Sequence, residues 1–186
     1  MVSSYSTDLK LELMVTGENA GTWGDITNTN LNILQQAIAG YESVALNATT
    51  GATLVFSNGV ISNGKNAVLN LTGTLTSSVN VIIPDGVEKT YIAKNATTGS
   101  YAVTFKTTSG SGATWAAADK GVKLLYSDGT NVIDVNSQIN TINALTLPTS
   151  AGTSGDAILT NGSGILSFGA AGISTGKAIA MAIVFG

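Results

Sequence analysis

The side chains that could carry chemistry in this 186-residue chain are carboxylates, lysines and hydroxyls, because the sequence contains no histidine, cysteine or arginine. This composition excludes a Ser-His-Asp or Cys-His nucleophile pair, a zinc site with nitrogen and sulfur ligands, and an iron–sulfur cluster. The net charge of −3 and the missing guanidinium groups argue against binding to a nucleic-acid backbone. We therefore expect no catalytic residues, no cofactor and no nucleic-acid partner.

Carboxylates that are close in sequence form two groups. Asp85 and Glu88 flank a Pro-Asp-Gly-Val-Glu-Lys turn, and their spacing gives no sign of the two distinct environments that an acid/base pair needs. Asp128 and Asp134 offer oxygen ligands but lack the bidentate glutamate and the ligand number of a calcium loop. We interpret both groups as turns and predict no metal site.

The first 40 residues are predicted to form an attachment unit made of a strand, a tryptophan-containing loop and a helix. Apolar residues alternate over residues 8–15, which is typical of a half-buried strand. A helix is predicted from about Thr27 to Ala39, with Gly40 as the stop signal, and its polar face is uncharged, so we expect protein on both sides of it. The residues expected to form the core of this unit are Trp23, Ile33, Leu34 and Ile38.

Residues 41–136 are predicted to form a β-sandwich-like domain, because short runs rich in β-branched and aromatic residues alternate with Gly, Asn and Asp. The clearest hairpin spans Val122–Val135, with Asp128-Gly129 in the turn. An Asn-Ala-Thr-Thr-Gly sequence occurs at 47–51 and again at 95–99, each time between two predicted strands. We interpret these as two hairpins, produced either by a duplicated half-sandwich or by convergent use of a good turn, and favour the second explanation.

Residues 137–186 are predicted to form a thin β-rich stem, and a flexible linker is the alternative for residues 149–172. Few apolar residues occur between residues 149 and 172, too few to close a core within one chain, but three copies around a common axis could do so. Large and small apolar residues alternate over 178–185, which favours a strand buried on both faces over a short alanine-rich helix. The predicted oligomer interface comprises Ile179, Met181, Ile183 and Phe185.

Taken together, these patterns predict a mainly β fold with a short N-terminal strand and one helix. The longest apolar run is far shorter than the roughly 20 residues that span a bilayer, so we expect no membrane insertion. The first residues show neither a basic region nor an apolar region of a secretory leader, and we expect none.

Several segments resemble virion structural and tail-fibre-like proteins of tailed bacteriophages, notably marine ones. The N-terminal resemblance covers about forty residues and centres on a Gly-Thr-Trp-Gly motif at 21–24. Its segments are Ser6–Leu13, Thr16–Gly24, Thr27–Asn32 and Gln36–Tyr41. Further segments similar to the same class of proteins are Leu124–Val135, Leu147–Ser150, Leu159–Gly164 and Gly176–Met181.

The resemblance implies a non-enzymatic virion component that is made in the bacterial host, forms a homo-oligomer, commonly a trimer, and attaches by one end to other tail or capsid proteins. The alternative is a surface module that decorates the capsid or binds a host glycan. The aromatic side chains discriminate between the two, because a sugar-binding surface would expose several of them together. The residues to compare are Tyr41, Tyr91, Tyr101 and Trp115.

Overall fold

The computed structural model describes residues 3–138, 141–142, 145–171 and 183. This part of the chain is mainly β, with 40% strand, 15% helical residues, several sheets and one helix, which confirms the predicted fold class. The chain divides into two compact units, Met1–Asn136 and Ser137–Gly186. The segments 1–40 and 41–136, which were expected to be separate domains, lie in the first unit.

The N-terminal residues form a small hairpin followed by the helix. Strand β1 (Ser4–Tyr5) pairs antiparallel with β2 (Glu12–Leu13), so the predicted strand over 8–15 is wrong except at residues 12 and 13. The extended run is interrupted because residues 7–9 form a turn and Lys10 has a φ of 56°. Helix α1 (Trp23–Ala39) begins at Trp23 and not near Thr27, and it ends before Gly40 as predicted.

From Tyr41 onward the chain passes through three successive rungs, and each rung contributes one strand to each of two sheets. The strands are β3 (Tyr41–Ala45) and β4 (Ala52–Thr53), then β5 (Val68–Thr72) and β6 (Val79–Ile83), then β7 (Glu88–Asn95) and β8 (Val103–Thr107). Within each sheet the strands of successive rungs pair in parallel. Two sheets are present, as in a sandwich, but their connectivity is that of a short parallel β-solenoid.

The corners between the two sheets repeat along the stack. Val68 pairs with Ile92 and Val79 with Val103, so the last two rungs are offset by 24 residues. The two Asn-Ala-Thr-Thr-Gly sequences form the corners of the first and third rungs. The predicted hairpins are therefore wrong, since the strands before and after each corner belong to different sheets. Their equivalent positions favour a structural repeat over unrelated use of the same turn.

Glycine completes the first corner for a steric reason. Gly51 has a φ of +77°, and a Cβ atom there would collide with the carbonyl of Asn80 in the next rung. The corners also stack through backbone hydrogen bonds, from Thr76 N to Ala48 O (3.0 Å) and from Thr98 N to Gly73 O (2.8 Å). A side chain at the glycine would separate rungs that these bonds hold together.

Three antiparallel strands complete the sheets after the last rung. Strand β9 (Gly112–Trp115) pairs with β8, and β10 (Val122–Asp128) pairs with both β7 and β11 (Val132–Asp134). The sheet orders are β11-β10-β7-β5-β3 and β4-β6-β8-β9. The β10–β11 hairpin confirms the prediction for 122–135, and Gly129 adopts the positive φ (83°) that its turn requires.

The core of the first unit is formed by inward-facing side chains of both sheets. Among the largest fully buried side chains are Tyr91, Phe105 and Trp115, and the Tyr91 and Phe105 ring centroids are 5.2 Å apart. Trp115 Nε1 donates a hydrogen bond to Gly121 O (3.0 Å), and the Tyr91 hydroxyl donates one to Gly64 O (3.1 Å). Both polar atoms are thus satisfied inside the core, which lets the rings be buried completely.

The second unit contains two small antiparallel ladders. Strand β12 (Thr141–Ile142) pairs with β13 (Leu145–Thr146), and β14 (Asp156–Thr160) pairs with β15 (Leu166–Ala170). In the β14–β15 hairpin, Ile158, Leu159 and Phe168 are exposed. A two-stranded hairpin of this kind has little stability of its own in water.

Candidate interaction surface

Two carboxylates singled out from the sequence fix local turns. Asp85 accepts hydrogen bonds from the Ser109 amide (3.0 Å) and hydroxyl (2.9 Å), and these bonds lower the pKa of Asp85. Asp128 Oδ1 accepts hydrogen bonds from the amides of Asn131 (2.6 Å) and Thr130 (2.8 Å), which lower the pKa of Asp128. Both groups are thereby held as anions by neighbouring loop residues.

The remaining acidic residues do not assemble a metal centre in the described part of the chain. Asp134 forms an ion pair with Lys123 at 2.6 Å. Among the described residues, no group of three or more His, Cys, Asp or Glu could hold a metal ion. Within the same residues no helix is both long and apolar enough to cross a membrane.

Two lysines lie inside the first unit. Lys65 is fully buried, and its Nζ donates hydrogen bonds to the carbonyls of Ser57 (2.7 Å) and Val60 (2.6 Å). Burial, and secondarily the charge of Lys10, lowers the pKa of Lys65 to about 8. Burial likewise lowers the pKa of Lys89 to about 8. Both ammonium groups donate to the chain's own backbone carbonyls, so they serve the fold.

The predicted attachment residues are not buried together. Ile33 is fully buried, whereas Trp23 is 64%, Leu34 36% and Ile38 79% exposed, so the expected core around Trp23 is wrong. The reason is the earlier start of helix α1. At 100° per residue, a helix that begins at Trp23 places this side chain within about 20° of Leu34. Trp23 and Leu34 therefore share a helix face that the described residues leave uncovered.

Only one of the four predicted oligomer-interface residues can be placed. Ile183 is helical and 78% exposed, so the predicted strand is wrong at this residue. The segment around it contains Ala180 and Ala182, and alanine has high helix propensity, which explains the difference. Ile179, Met181 and Phe185 lie outside the described residues, and the interface prediction for them stays untested.

The aromatic side chains do not form a common platform. Tyr91 and Trp115 are fully buried, whereas Tyr41 and Tyr101 are exposed. Tyr41 is the first residue of β3. Tyr101 lies after the end of β7, beyond the corner formed by residues 95–99. Two of the four rings thus belong to the core, and the two exposed rings lie near opposite ends of the strands.

An apolar surface that sequence reasoning missed lies on the outward side of the five-stranded sheet. Tyr41, Val68, Ile92 and Leu124 stand in one row across four adjacent strands, because each is in register with the next. Burial alternates along β7, so that the even-numbered residues face outward. We call this surface the outer apolar face; its members are Tyr41, Val68, Ile92, Val122, Leu124, Tyr126 and Ile133.

Most members of the outer apolar face are open to solvent. Tyr41 is 62%, Val122 56% and Ile92 46% exposed, and Tyr126 and Ile133 are exposed as well. A groove of about 280 Å³ is lined by Tyr41, Ile92 and Val122. The sequence does contain a signal for this surface: apolar residues occur consecutively, as in Tyr91-Ile92. Successive side chains of a strand point to opposite faces, so only one residue of such a pair can face the core.

Charged residues lie at the two ends of the outer apolar face. Glu88 and Asp128 are directly opposite each other on β7 and β10, and Asp8 Oδ1 accepts a hydrogen bond from Glu88 N (2.9 Å). Lys94 lies at the other end of β7, level with Val122. Neither Glu88 nor Lys94 forms an ion pair within the described residues. The face is therefore acidic at one end and basic at the other, and the residues between them are apolar except for Thr90.

The outer apolar face, with charged residues at its two ends, is open to solvent. An exposed apolar face rimmed by charges is typical of a protein–protein contact. The chain matches no protein-family model, no curated protein and no solved structure.

Proposed function

We propose that this chain is a non-enzymatic structural component of a bacteriophage virion, most simply of the tail or its fibres. It forms a homo-oligomer, with a trimer favoured, and attaches by one end to other virion proteins. The resemblance of its N-terminal segments to phage virion proteins supports this proposal. The exposed apolar surfaces in both units support the assembly role.

The observation that carries the assembly role is the β14–β15 hairpin. Ile158 pairs with Phe168 across the hairpin, and both are exposed. Leu159 follows Ile158 and points to the opposite side of the ladder, where it is also exposed. A two-stranded ladder with apolar side chains open on both sides needs partners, and copies around a common axis would supply them.

The attachment role is supported by helix α1. Leu31, Leu34 and Ile38 recur at a spacing of three and four residues, so they form one stripe along the helix. All three are exposed, while Ile33 on the other side is buried. The residues from Ile26 to Ala39 carry no charge. A helix that carries no charge after Asp25 and has an open apolar stripe is suited to packing against another virion protein.

The role on the particle is tested by quantifying this chain in purified virions by mass spectrometry. We expect it in intact particles, in a copy number divisible by three. Absence from particles, while the chain accumulates in infected cells, would refute the virion proposal.

The assembly role is tested with two matched substitutions in the full chain. Ile158→Asp and Ile61→Asp replace isoleucines of nearly equal exposure, 62% and 61%, in the second and first unit. In a trimer, Ile158→Asp brings three unpaired carboxylates into an apolar contact, at a cost of several kcal/mol each. We expect light scattering to show loss of the oligomer for Ile158→Asp and not for Ile61→Asp. Equal behaviour of both variants and the parent would contradict assembly through the stem.

A further inference from the structure

We propose that a second copy of this chain covers the outer apolar face in a two-fold, face-to-face contact that places Lys94 of each copy against Glu88 of the other. This contact is distinct from the stem, because only residues of the first unit enter the argument. It does not depend on the virion role.

Charge selects a second copy as the occupant. Glu88 and Lys94 face the same way on β7 and are separated by six residues, or about 20 Å along the strand. A half-turn about an axis that crosses the strands near residue 91 exchanges the two ends. Each acidic end then meets a basic end, twice in the dimer. A half-turn about an axis along the strands would instead bring like charges together.

Glu88 is the carboxylate of the acidic end that an external cation would stabilise, because Asp128 and Asp8 already accept backbone hydrogen bonds. Glu88 and Asp128 occupy directly opposite positions on neighbouring antiparallel strands, where like charges are destabilising. Asp8 adds a third carboxylate beside them. No lysine forms an ion pair with these groups within the described residues. Lys94 of a second copy would supply the missing positive charge to Glu88.

The apolar centre fits between these charge contacts. The row of apolar side chains through Ile92 and the outward side chains of Tyr126 and Ile133 lie close to the level of the proposed axis. Two sheet faces can therefore pack at the usual separation of about 10 Å, with apolar side chains filling the space. A membrane is a poorer occupant, because the acidic end of the face would repel the anionic lipids that cationic clusters select.

The size of the face sets the expected strength. Strands β7 and β10 span the distance of about 20 Å from Glu88 to Lys94, whereas β3 and β5 have five residues each and β11 has three. At about 3.3 Å per residue and about 4.8 Å between strands, the footprint is at most roughly 400 Å² per copy. That is about half the roughly 800 Å² per partner of a standard stable interface, so the contact belongs to the weak, reversible class. We expect a dissociation constant in the micromolar range for the isolated contact, and tighter association where an assembly holds copies together.

The test uses charge reversal in the full chain, with sedimentation velocity over a concentration series. Lys94→Glu and Glu88→Lys should each weaken the two-fold step by about 10- to 100-fold, because like charges then meet at both ends of the dimer. An equimolar mixture of the two variants should recover the step, since in each mixed dimer opposite charges again meet at both contacts. The double variant Lys94→Glu/Glu88→Lys should also recover it.

Lys106→Glu is the control, because it makes the same charge change on the four-stranded sheet. Its association should resemble that of the parent. The proposal would be overturned if the parent chain showed no concentration-dependent association beyond the oligomer formed by the stem. Single variants that associate like the parent, or a mixture that fails to recover the step, would overturn it as well. Melting curves similar to that of the parent would show that each variant is folded.

Discussion

The corner asparagines offer a pair of equivalent positions for testing how burial sets the cost of losing an asparagine side chain. Asn47 and Asn95 begin identical pentapeptides in the first and third rungs. Asn95 is 0% exposed, whereas Asn47 is exposed. Each is to be replaced by alanine in the full chain, and the two variants are compared with the parent at equal protein concentration.

The expected cost follows from the contacts. Asn95 Oδ1 accepts from Thr97 N (3.1 Å) and Thr97 Oγ1 (2.7 Å), and Asn95 Nδ2 donates to Asp119 O (2.9 Å). At about 1 kcal/mol per bond, with buried partners left unsatisfied, Asn95→Ala should cost about 3 kcal/mol. Asn47 Oδ1 accepts from the amides of Thr49 and Thr50 and from the Thr49 hydroxyl. Water replaces the carboxamide there, so Asn47→Ala should cost about 1 kcal/mol or less.

Urea unfolding followed by circular dichroism measures the difference. With a slope of about 2 kcal/mol per molar urea, a difference of about 2 kcal/mol shifts the midpoint of Asn95→Ala by about 1 M relative to Asn47→Ala. Equal midpoints for the two variants would refute the reasoning that burial of the third-rung corner decides the cost. A larger loss for Asn47→Ala would refute the assignment of the two corners.

Two further predictions concern the tryptophans and the buried lysines. Trp115→Ala should cost about 3 to 5 kcal/mol and Trp23→Ala less than about 1 kcal/mol, because only Trp115 is buried; a greater loss for Trp23→Ala in thermal unfolding would contradict the structure. Stability should rise between pH 8 and pH 10, because Lys65 and Lys89 release their protons near pH 8 when folded but only near 10.5 when unfolded. Lys89→Met should reduce this rise, and a flat profile for the parent in urea unfolding would count against it. Above pH 10 the raised pKa of Tyr91 acts in the opposite direction, since the unfolded chain then loses the proton first.

Local sequence signals predicted the features that neighbouring residues decide. The Asp128-Gly129 turn predicted the β10–β11 hairpin because its positive φ is set within the turn itself. Gly40 likewise predicted the end of helix α1. The same kind of signal failed at the Asn47 and Asn95 corners. A turn that begins with Asn and ends with Gly can connect two strands of a hairpin or two strands of different sheets in one rung. The two cases differ only in which strand each flanking strand pairs with.

Side-chain burial depended on contacts distant in sequence. Trp23 and Trp115 both lie in segments that could bury a large ring, but only Trp115 lies on a strand whose inward face is covered by the core. The start of helix α1 decided which way Trp23 faces. A shift of four residues moves the helix start by about a full turn, and sequence signals locate helix ends less accurately than helix existence.

By itself, the sequence determined that this chain has no histidine, cysteine or arginine chemistry and that its fold is mainly β, because both follow from residue types and short-range preferences. Only the tertiary structure decided that the strands stack in parallel rungs. It also decided that Ile92 faces outward while Tyr91 is buried, and that Glu88 and Lys94 lie at opposite ends of one face. The physical reason is that these features depend on strand pairing between successive rungs, which joins residues 24 positions apart, such as Val68 and Ile92. Short-range sequence patterns do not contain that pairing. Register, and with it the choice of the buried face, is set by that pairing.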